Sequence, residues 1–447
     1  MRPFLFVLLA SSLFAADYKA GVARVVITPG QSIYLSGYAN RNRPSDGVIH
    51  DLWAKALAIE DAQGGRTLIV TTDIIGLPRA LSELIAARAQ KQYSLDRARL
   101  VLNSSHTHTG PLILRNLNIM FELKPEEQQA VDEYGRDLGE KIVSLIGAAL
   151  RDLSPAQISF GNGRGGFAVN RREPTPKGVR RGVNPPGPSD HDVPVLKVAG
   201  PDGQLRAVLF GYACHNTTLT GEFYKISGDY SGFAQIGIEK ANPGSSALFL
   251  MLCGADQNPN PRSKLELAEQ HGNALAQEVS RVLGGPLQGV RGPIRAAFQT
   301  VELGFAPHSR ETFQSRLADT NVWRVRHAKA MLSAYDERRP IRRYPYPVQA
   351  VSFGKDLTLV ALGGEVVVDY ALRIKKEYGS KGIIAAGYSN DVMSYIPSLR
   401  VLKEGGYEAD TSMIYYGQPG PYDEQVEERI FTTIHRVMKR VKRSPGQ

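Results

Sequence analysis

Four segments of the chain place side chains that bind metals or transfer protons directly after an apolar run. The first contains two histidines, His106 and His108, within Asn103-Ser104-Ser105-His106-Thr107-His108-Thr109-Gly110-Pro111. Residues separated by one position lie on the same side of an extended chain. Both imidazoles could therefore bind one metal ion, or one could bind the ion while the other transfers protons.

Each of the other three segments carries one candidate residue. His215 follows an apolar run at Cys214, and the alternative to a metal ligand is a hydrogen-bonded histidine of the core. Glu365 follows two glycines and could instead stabilise the dipole of a helix start. Tyr395 ends the polar stretch 389–395, where a tyrosine is usually an amphipathic wall residue. Imidazole and carboxylate are ligands that suit zinc.

The elements that must position these residues alternate between strand and helix. Continuous apolar runs predict strands at 25–30, 54–60, 67–72, 99–102, 193–198, 206–213, 247–252, 357–362 and 383–386. Helical spacing predicts helices at 79–93, 125–153, 265–283, 366–378 and 423–441, and a mostly helical stretch at 309–335. This order predicts an α/β fold, with mixed sheets flanked by helices in a single large catalytic unit. Sites in such folds collect beyond the C-terminal ends of strands.

Residues 161–191 are rich in glycine, proline and arginine. The composition predicts a long surface loop, and loops of this length in a compact domain are often functional. The part at 173–189 is basic.

Both ends of the chain differ from the part between them. Arg2, an apolar run to Phe14 and the small residues before Asp17 predict a cleavable secretory signal at residues 1–16. The run is too short to span a membrane, so we expect a secreted or periplasmic protein. Residues 17–435 are predicted to form the catalytic domain. Residues 436–447 are predicted to be a basic C-terminal tail that starts as a solvated helix end.

The formal net charge of +10 is that of a basic but ordinary exported protein. No basic stripe interleaved with aromatic residues is present, so we expect no nucleic-acid partner. Contact of the basic tail with an anionic membrane surface stays an alternative. Cys214 and Cys253 could form one disulfide or remain as two buried thiols, and both interpretations stay open.

The ordered set of motifs resembles the neutral, non-lysosomal ceramidases over nearly all of the chain after residue 16. The segments that carry the resemblance are Gly21–Arg24, Ile27–Pro29, Gly37–Ala39, Gly47–Ala56, His106–Pro111, Asn170–Arg171, Cys214–His215, Gly228–Gly232, Asp256–Asn260, Gly364–Glu365, Tyr395 and Tyr407–Glu408. The resemblance implies a zinc ion bound by a set of four ligands: His106, His215, Glu365 and Tyr395. It also implies that His108, Arg171 and Tyr407 surround the water and the scissile carbonyl. These groups would stabilise the oxyanion or protonate the leaving nitrogen.

The chain departs from the family pattern at Asn258, which stands where the family has a serine. An amide cannot act as a nucleophile, so we favour attack by metal-activated water, with Asn258 orienting the substrate by hydrogen bonding. No all-β segment follows residue 420, so the family's C-terminal immunoglobulin-like domain is expected to be missing. Together with the basic loop, this argues for a smaller or more polar N-acyl substrate than a long-chain ceramide.

The sequence thus predicts an exported zinc amidohydrolase that acts on a small-molecule or lipid N-acyl substrate. Two alternatives remain. One is a zinc esterase or deacetylase-type hydrolase with a non-lipid substrate, which would keep the metal and change the pocket. The other is a non-catalytic binding protein on the same fold, an interpretation that the departure at Asn258 motivates.

Overall fold

A computed structural model describes residues 17–113 and 116–442 of the 447-residue chain. The predicted signal at 1–16 and the last five residues of the predicted tail lie outside the described residues. The strands are β1 (Tyr18–Val26), β2 (Gly47–Val48), β3 (Trp53–Asp61), β4 (Arg66–Thr72), β5 (Leu100–Ser104), β6 (Ser154–Arg164), β7 (Ala168–Thr175), β8 (Gly178–Asn184), β9 (Asp192–Ala199), β10 (Leu205–Tyr212), β11 (Lys225–Ile226), β12 (Ser246–Met251), β13 (Gln257–Pro259), β14 (Gln288–Gly289), β15 (Ile294–Gly304), β16 (Arg343–Phe353), β17 (Leu357–Leu362), β18 (Glu365–Val366), β19 (Ile383–Ala386) and β20 (Tyr395–Ile396). The α-helices are α1 (Arg79–Tyr93), α2 (Pro125–Arg151), α3 (Asp229–Ala241), α4 (Leu265–Leu283), α5 (Arg310–Gln314), α6 (Val322–Asp336), α7 (Val368–Tyr378), α8 (Leu399–Glu404) and α9 (Val426–Lys442).

Two mixed sheets carry most of the strands. The larger has the order β12-β10-β9-β6-β1-β3-β4-β5, with β14 paired to β6, and the smaller has the order β15-β16-β17-β19. Most neighbouring strands are antiparallel, but β4 and β5, β10 and β12, and β17 and β19 are parallel pairs. Each parallel pair is joined through a helix, as parallel pairing requires. The prediction of mixed sheets flanked by helices is confirmed.

The two sheets pack face to face and are covered by helices on their outer faces. Alternate residues of β3 show this arrangement: Leu57 and Ile59 belong to the apolar layer between the sheets, whereas Ala56 and Ala58 face α1 and α2. The outer face of the smaller sheet packs against α7 and α9. Because the central strands are buried on both faces, they have continuous apolar sequences.

The predicted surface loop at 161–191 is wrong in its secondary structure. Residues 168–184 form the β7–β8 hairpin, in which Glu173 pairs with Arg180, and β7 also pairs with β13. Composition misled the prediction because glycine and proline are depleted in strands. The strand that β7 pairs with, at 257–259, is also distant in sequence.

Cys214 and Cys253 are both free and buried, and burial raises the pKa of each thiol.

Within residues 17–113 and 116–442, none of the helices combines the length and the apolar character needed to cross a membrane. The first seven residues of the predicted basic tail are the end of α9, where Val437 and Val441 are buried.

Candidate active site

The C-terminal ends of several strands meet at one edge between the two sheets. Asn103, near the end of β5, forms a bridge with Ser389, and Leu252, after β12, forms one with Ala386 of β19. The Asn103 amide also donates to the carbonyl of Gly387 (2.8 Å). The segments that follow β5, β10, β17 and β19 therefore converge, and the sequence predicted the site in these segments.

His106 and His215 each have one ring nitrogen fixed by a backbone carbonyl. Nδ1 of His106 is 2.6 Å from the oxygen of Ile75, and Nδ1 of His215 is 3.0 Å from the oxygen of Gly254. Because a carbonyl oxygen can only accept, Nδ1 carries the proton in a neutral ring and Nε2 has the free lone pair. Such a bond on the far nitrogen is the arrangement that orients a metal-binding imidazole.

The Glu365 carboxylate lies between these two imidazoles. Its Oε2 is 3.0 Å from Nε2 of His106 and 2.9 Å from Nε2 of His215. The hydroxyl of Tyr416 donates to Oε1, and that of Tyr388 lies 3.4 Å from Oε2. Glu365 therefore presents a buried negative charge to both histidines.

A short parallel pairing of β18 with β20 places Tyr395 directly beside Glu365. Glu365 is thus in a strand and does not start α7, which begins at Val368. The Tyr395 hydroxyl is 3.2 Å from Nε2 of His215 and accepts a hydrogen bond from Nη2 of Arg171 at 2.9 Å. The structure therefore brings together all four side chains that were predicted to bind the metal.

His108 is buried beside the same centre but is held differently. Its Nε2 is 3.1 Å from Nε2 of His106, and its Nδ1 has no hydrogen-bond partner in the described part of the chain. Burial, together with His106, lowers the pKa of His108 well below its usual value. Gly37, with φ of 90°, packs so closely that a Cβ would lie 2.4 Å from Nδ1. His108 is thus a neutral imidazole without the orienting bond of His106 and His215.

Arg171 is fixed by a buried ion-pair network. Its Nε donates to Oε1 of Glu408 at 2.8 Å, and Oε2 of the same carboxylate accepts from Nη1 of Arg172 at 2.6 Å. Burial opposes the charge on Arg171, but Tyr395 and Glu408 raise its pKa well above the usual value. The guanidinium is therefore a permanent cation aimed at the site.

Asn258 and Tyr407 complete the set of residues that the sequence predicted. The Asn258 Oδ1 accepts from Nη1 of Arg171 at 3.1 Å, and Thr217 lies 3.4 Å away. The Tyr407 ring packs edge-on against Tyr395, with 5.4 Å between the centroids. Because the two lone pairs of its oxygen already accept from Arg171 and from the Thr217 hydroxyl, Asn258 offers its amino group to a ligand.

These residues border a cavity of about 460 Å³. His108, Arg171 and Tyr395 line its inner part, whereas Arg181 and Arg262 line its walls. A volume of this size is typical of small-molecule sites.

The donor set fits a zinc ion. The Nε2 atoms of His106 and His215 and the Oε2 of Glu365 are all acceptors, so the approach of each Nε2 atom to Oε2 at about 3 Å is repulsive unless a cation lies among them. Tetrahedral zinc ligands at about 2.0–2.1 Å from the metal lie about 3.3 Å apart. The measured ligand-to-ligand distances of 2.9, 3.0 and 3.2 Å are close to that value. A set formed by the three buried histidines is also within reach, since one nitrogen of each lies within 4.8 Å of the others.

Sequence reasoning did not assign roles to three residues that hold the site. Glu408 bridges two arginines, Tyr416 donates to Glu365, and Asn103 joins the strand ends. Glu408 was part of the Tyr407–Glu408 motif, which was the available signal. Tyr416 gave no signal, because its partner is 51 residues away.

These features define an α/β protein with a buried histidine–carboxylate–tyrosine centre at converging strand ends. Residues 18–283 match the family described as neutral/alkaline non-lysosomal ceramidase, N-terminal, and the chain belongs to that family. The resemblance noted from the motifs is confirmed.

Individual relatives are distant and differ in how much of each chain matches. A neutral ceramidase of Pseudomonas aeruginosa is 27% identical over 248 residues, which are 51% of this chain and 35% of that protein. A neutral ceramidase of Mycobacterium tuberculosis is 22% identical over 468 aligned residues, covering 85% of this chain and 71% of that protein. The first match thus spans only about a third of the Pseudomonas protein.

Solved structures show the same fold. The crystal structure of the neutral ceramidase from Pseudomonas aeruginosa superposes with a TM-score of 0.72 at 19% identity, covering 94% of this chain and 74% of that chain. A ceramidase complexed with C2 gives a TM-score of 0.71 at 18% identity, with 96% and 77% covered.

Proposed function

We propose that the protein is an exported, zinc-dependent hydrolase that cleaves the amide bond of an N-acyl substrate. The observation that carries the proposal is the convergence of four donor atoms, from His106, His215, Glu365 and Tyr395. Of these side chains Tyr395 lines the cavity, together with His108. Membership of the ceramidase family supports an amide as the bond that is cleaved. The signal-like residues 1–16 support a secreted or periplasmic location.

A zinc ion held by those four side chains would supply Lewis acidity, which polarises a carbonyl oxygen and lets water act as a nucleophile near neutral pH. Beside it, His108 is the general base in the proposed mechanism. Its neutral ring can take a proton from the attacking water and return it to the leaving nitrogen. Its unpartnered Nδ1 supports this role over that of a fixed ligand, because a ligand imidazole needs an orienting bond.

Arg171 is the fixed positive charge that faces the reacting carbonyl. Glu408 holds its Nε, so the guanidinium does not have to reorganise when negative charge develops on the carbonyl oxygen. Tyr407, at the cavity wall, offers a phenol whose pKa is raised by burial, so it stays protonated and can donate. Both residues therefore stabilise the oxyanion in this proposal.

Asn258 is proposed to position the substrate through its amino group. Replacement by alanine is expected to lower kcat/KM by about 10- to 100-fold, which is the effect of one lost hydrogen bond in a buried site. Steady-state kinetics on a fluorescent N-acyl amide would measure this. Asn258→Ser should not exceed the wild-type rate. A serine variant faster than the wild type would show that a side-chain nucleophile, and not water, suits this site.

The proposed activity can be tested on purified protein with a set of matched substrates. The set contains short-chain and long-chain N-acyl sphingosines, a simple N-acyl amide and the ester with the same acyl group. We expect amide hydrolysis that is lost with a chelator and recovered when zinc is added. Hydrolysis of the ester alone would move the protein to the esterase class, and turnover that is unaffected by chelation would contradict the metal role.

A further inference from the structure

The walls of the active-site cavity carry two arginines that have no carboxylate partner. Arg181, on β8, and Arg262, after β13, both line the cavity. Neither forms an ion pair with any residue of the described ranges 17–113 and 116–442, and no aspartate or glutamate lines the cavity. Arg171 is not counted with them, because it is ion-paired with Glu408.

Both guanidinium groups are held by tyrosines of the cavity wall. The Arg181 guanidinium lies 4.1 Å from the ring centroid of Tyr407. Arg262 donates from Nη2 to the hydroxyl of Tyr38 at 3.0 Å. These contacts orient the two charges without neutralising them, because a tyrosine ring or hydroxyl carries no negative charge. The buried carboxylate of Asp229 interacts electrostatically with Arg262, but Asp229 does not line the cavity.

Two arginines that line a cavity without an ion-pair partner select against a neutral substrate. A neutral amide that fills the cavity would displace water from both guanidinium groups and offer no counter-charge, which is unfavourable. A carboxylate, sulfonate or phosphate would instead accept paired hydrogen bonds from a guanidinium. The neighbouring Arg180 differs from Arg181, because Arg180 already forms an ion pair with Glu173 at 2.8 Å.

We propose that the substrate is an N-acyl amide that carries an anionic group, bound by Arg181 and Arg262. This inference rests on the proposed amide hydrolase and adds the class of its substrate. The anion stands on the amine side or on the acyl side of the amide bond. The apolar wall residues Val169 and Val183 contact the uncharged part.

The test is a binding measurement by calorimetry on wild-type protein kept in a chelator, so that neither a metal nor turnover contributes. N-lauroyl glycine carries the anion on the amine side, and the monoethanolamide of dodecanedioic acid carries it on the acyl side. N-lauroyl ethanolamine is the neutral counterpart. We expect at least one anionic ligand to bind about 10-fold more tightly than the neutral one, and raising the salt from about 50 mM to about 500 mM should weaken only that binding.

Arg181→Ala is expected to weaken binding of the preferred anionic ligand by about 10-fold and to leave the neutral ligand within about twofold. Arg180→Ala is the matched control, because it removes the adjacent exposed arginine of the same hairpin and should change neither affinity. Arg262→Lys keeps the charge and should weaken binding less than Arg262→Ala.

Equal binding of all three ligands would overturn the proposal, and so would an Arg180→Ala effect as large as that of Arg181→Ala. Because binding is measured without metal, a failure to find hydrolysis would leave this result standing. Loss of the anion preference would likewise leave the proposed hydrolase standing.

Discussion

Replacing Glu365 by glutamine is expected to remove the bound metal and amide hydrolysis together while the fold is retained. The change keeps the size of the side chain but removes the buried charge that Oε2 presents to His106 and His215. Loss of a residue that merely orients a ligand lowers metal affinity by about 10- to 100-fold, so loss of a charged ligand should lower it by at least about 100-fold. Metal titration and hydrolysis rates would measure the two effects on one preparation.

Glu302→Gln is the matched control, because Glu302 is an exposed glutamate on β15 without an ion pair in the described part of the chain. It should keep the metal affinity and the rate of the wild type. Circular dichroism would show whether Glu365→Gln is folded. A folded Glu365→Gln protein with stoichiometric zinc and normal turnover would contradict the assignment of this residue.

Replacing Glu408 by glutamine is expected to lower both the free energy of unfolding and kcat. Glu408→Gln leaves the buried guanidinium of Arg171 without its counter-charge and weakens the pairing of Arg172. Breaking a buried ion pair from one side destabilises a protein by about 3–5 kcal/mol. We therefore expect the free energy of unfolding to fall by about 3 kcal/mol in urea denaturation, and kcat to fall because Arg171 is no longer fixed.

Glu404 provides the comparison, since it pairs with Arg172 and with the partly exposed Arg400 but not with Arg171, and its side chain is 34% exposed. Glu404→Gln should lower the free energy of unfolding by less than about 1 kcal/mol, as partly exposed ion pairs do. Equal losses in the free energy of unfolding for the two substitutions would mean that the buried ion pairs of Glu408 do not stabilise the site.

Elements with a strong local pattern could be predicted from the sequence almost to the residue. The helices at 79–93 and 265–283 and the strand at 357–362 have the predicted bounds. Strand β16 was missed because Pro345 and Pro347 argue against a strand, and here they lie where β16 pairs only with β15. Helix α3 was missed because Gly232 and Gly237 disfavour a helix. In the structure Gly232 packs against the ring of His50 and Gly237 packs against Ala276 of α4, which leaves little room for a larger residue at either position.

The residues of the site likewise divide into those that a local sequence pattern predicts and those whose contacts depend on the tertiary fold. Residues directly after apolar strands, such as His106 and His215, could be predicted as site residues because strand ends converge in α/β folds. The pairing of Glu365 with Tyr395, and the bridge from Arg171 to Glu408 across 237 residues, depend on the tertiary fold. No local pattern encodes such contacts, so only the structure reveals them.

The most direct test of the metal site is anomalous diffraction at the zinc absorption edge from crystals of the wild-type protein grown with zinc. We expect a single strong peak at about 2.0–2.2 Å from Nε2 of His106, Nε2 of His215 and a carboxylate oxygen of Glu365. The peak should be missing from crystals of Glu365→Gln. A wild-type map with no peak among these three side chains would contradict the metal site, and with it the proposed hydrolase.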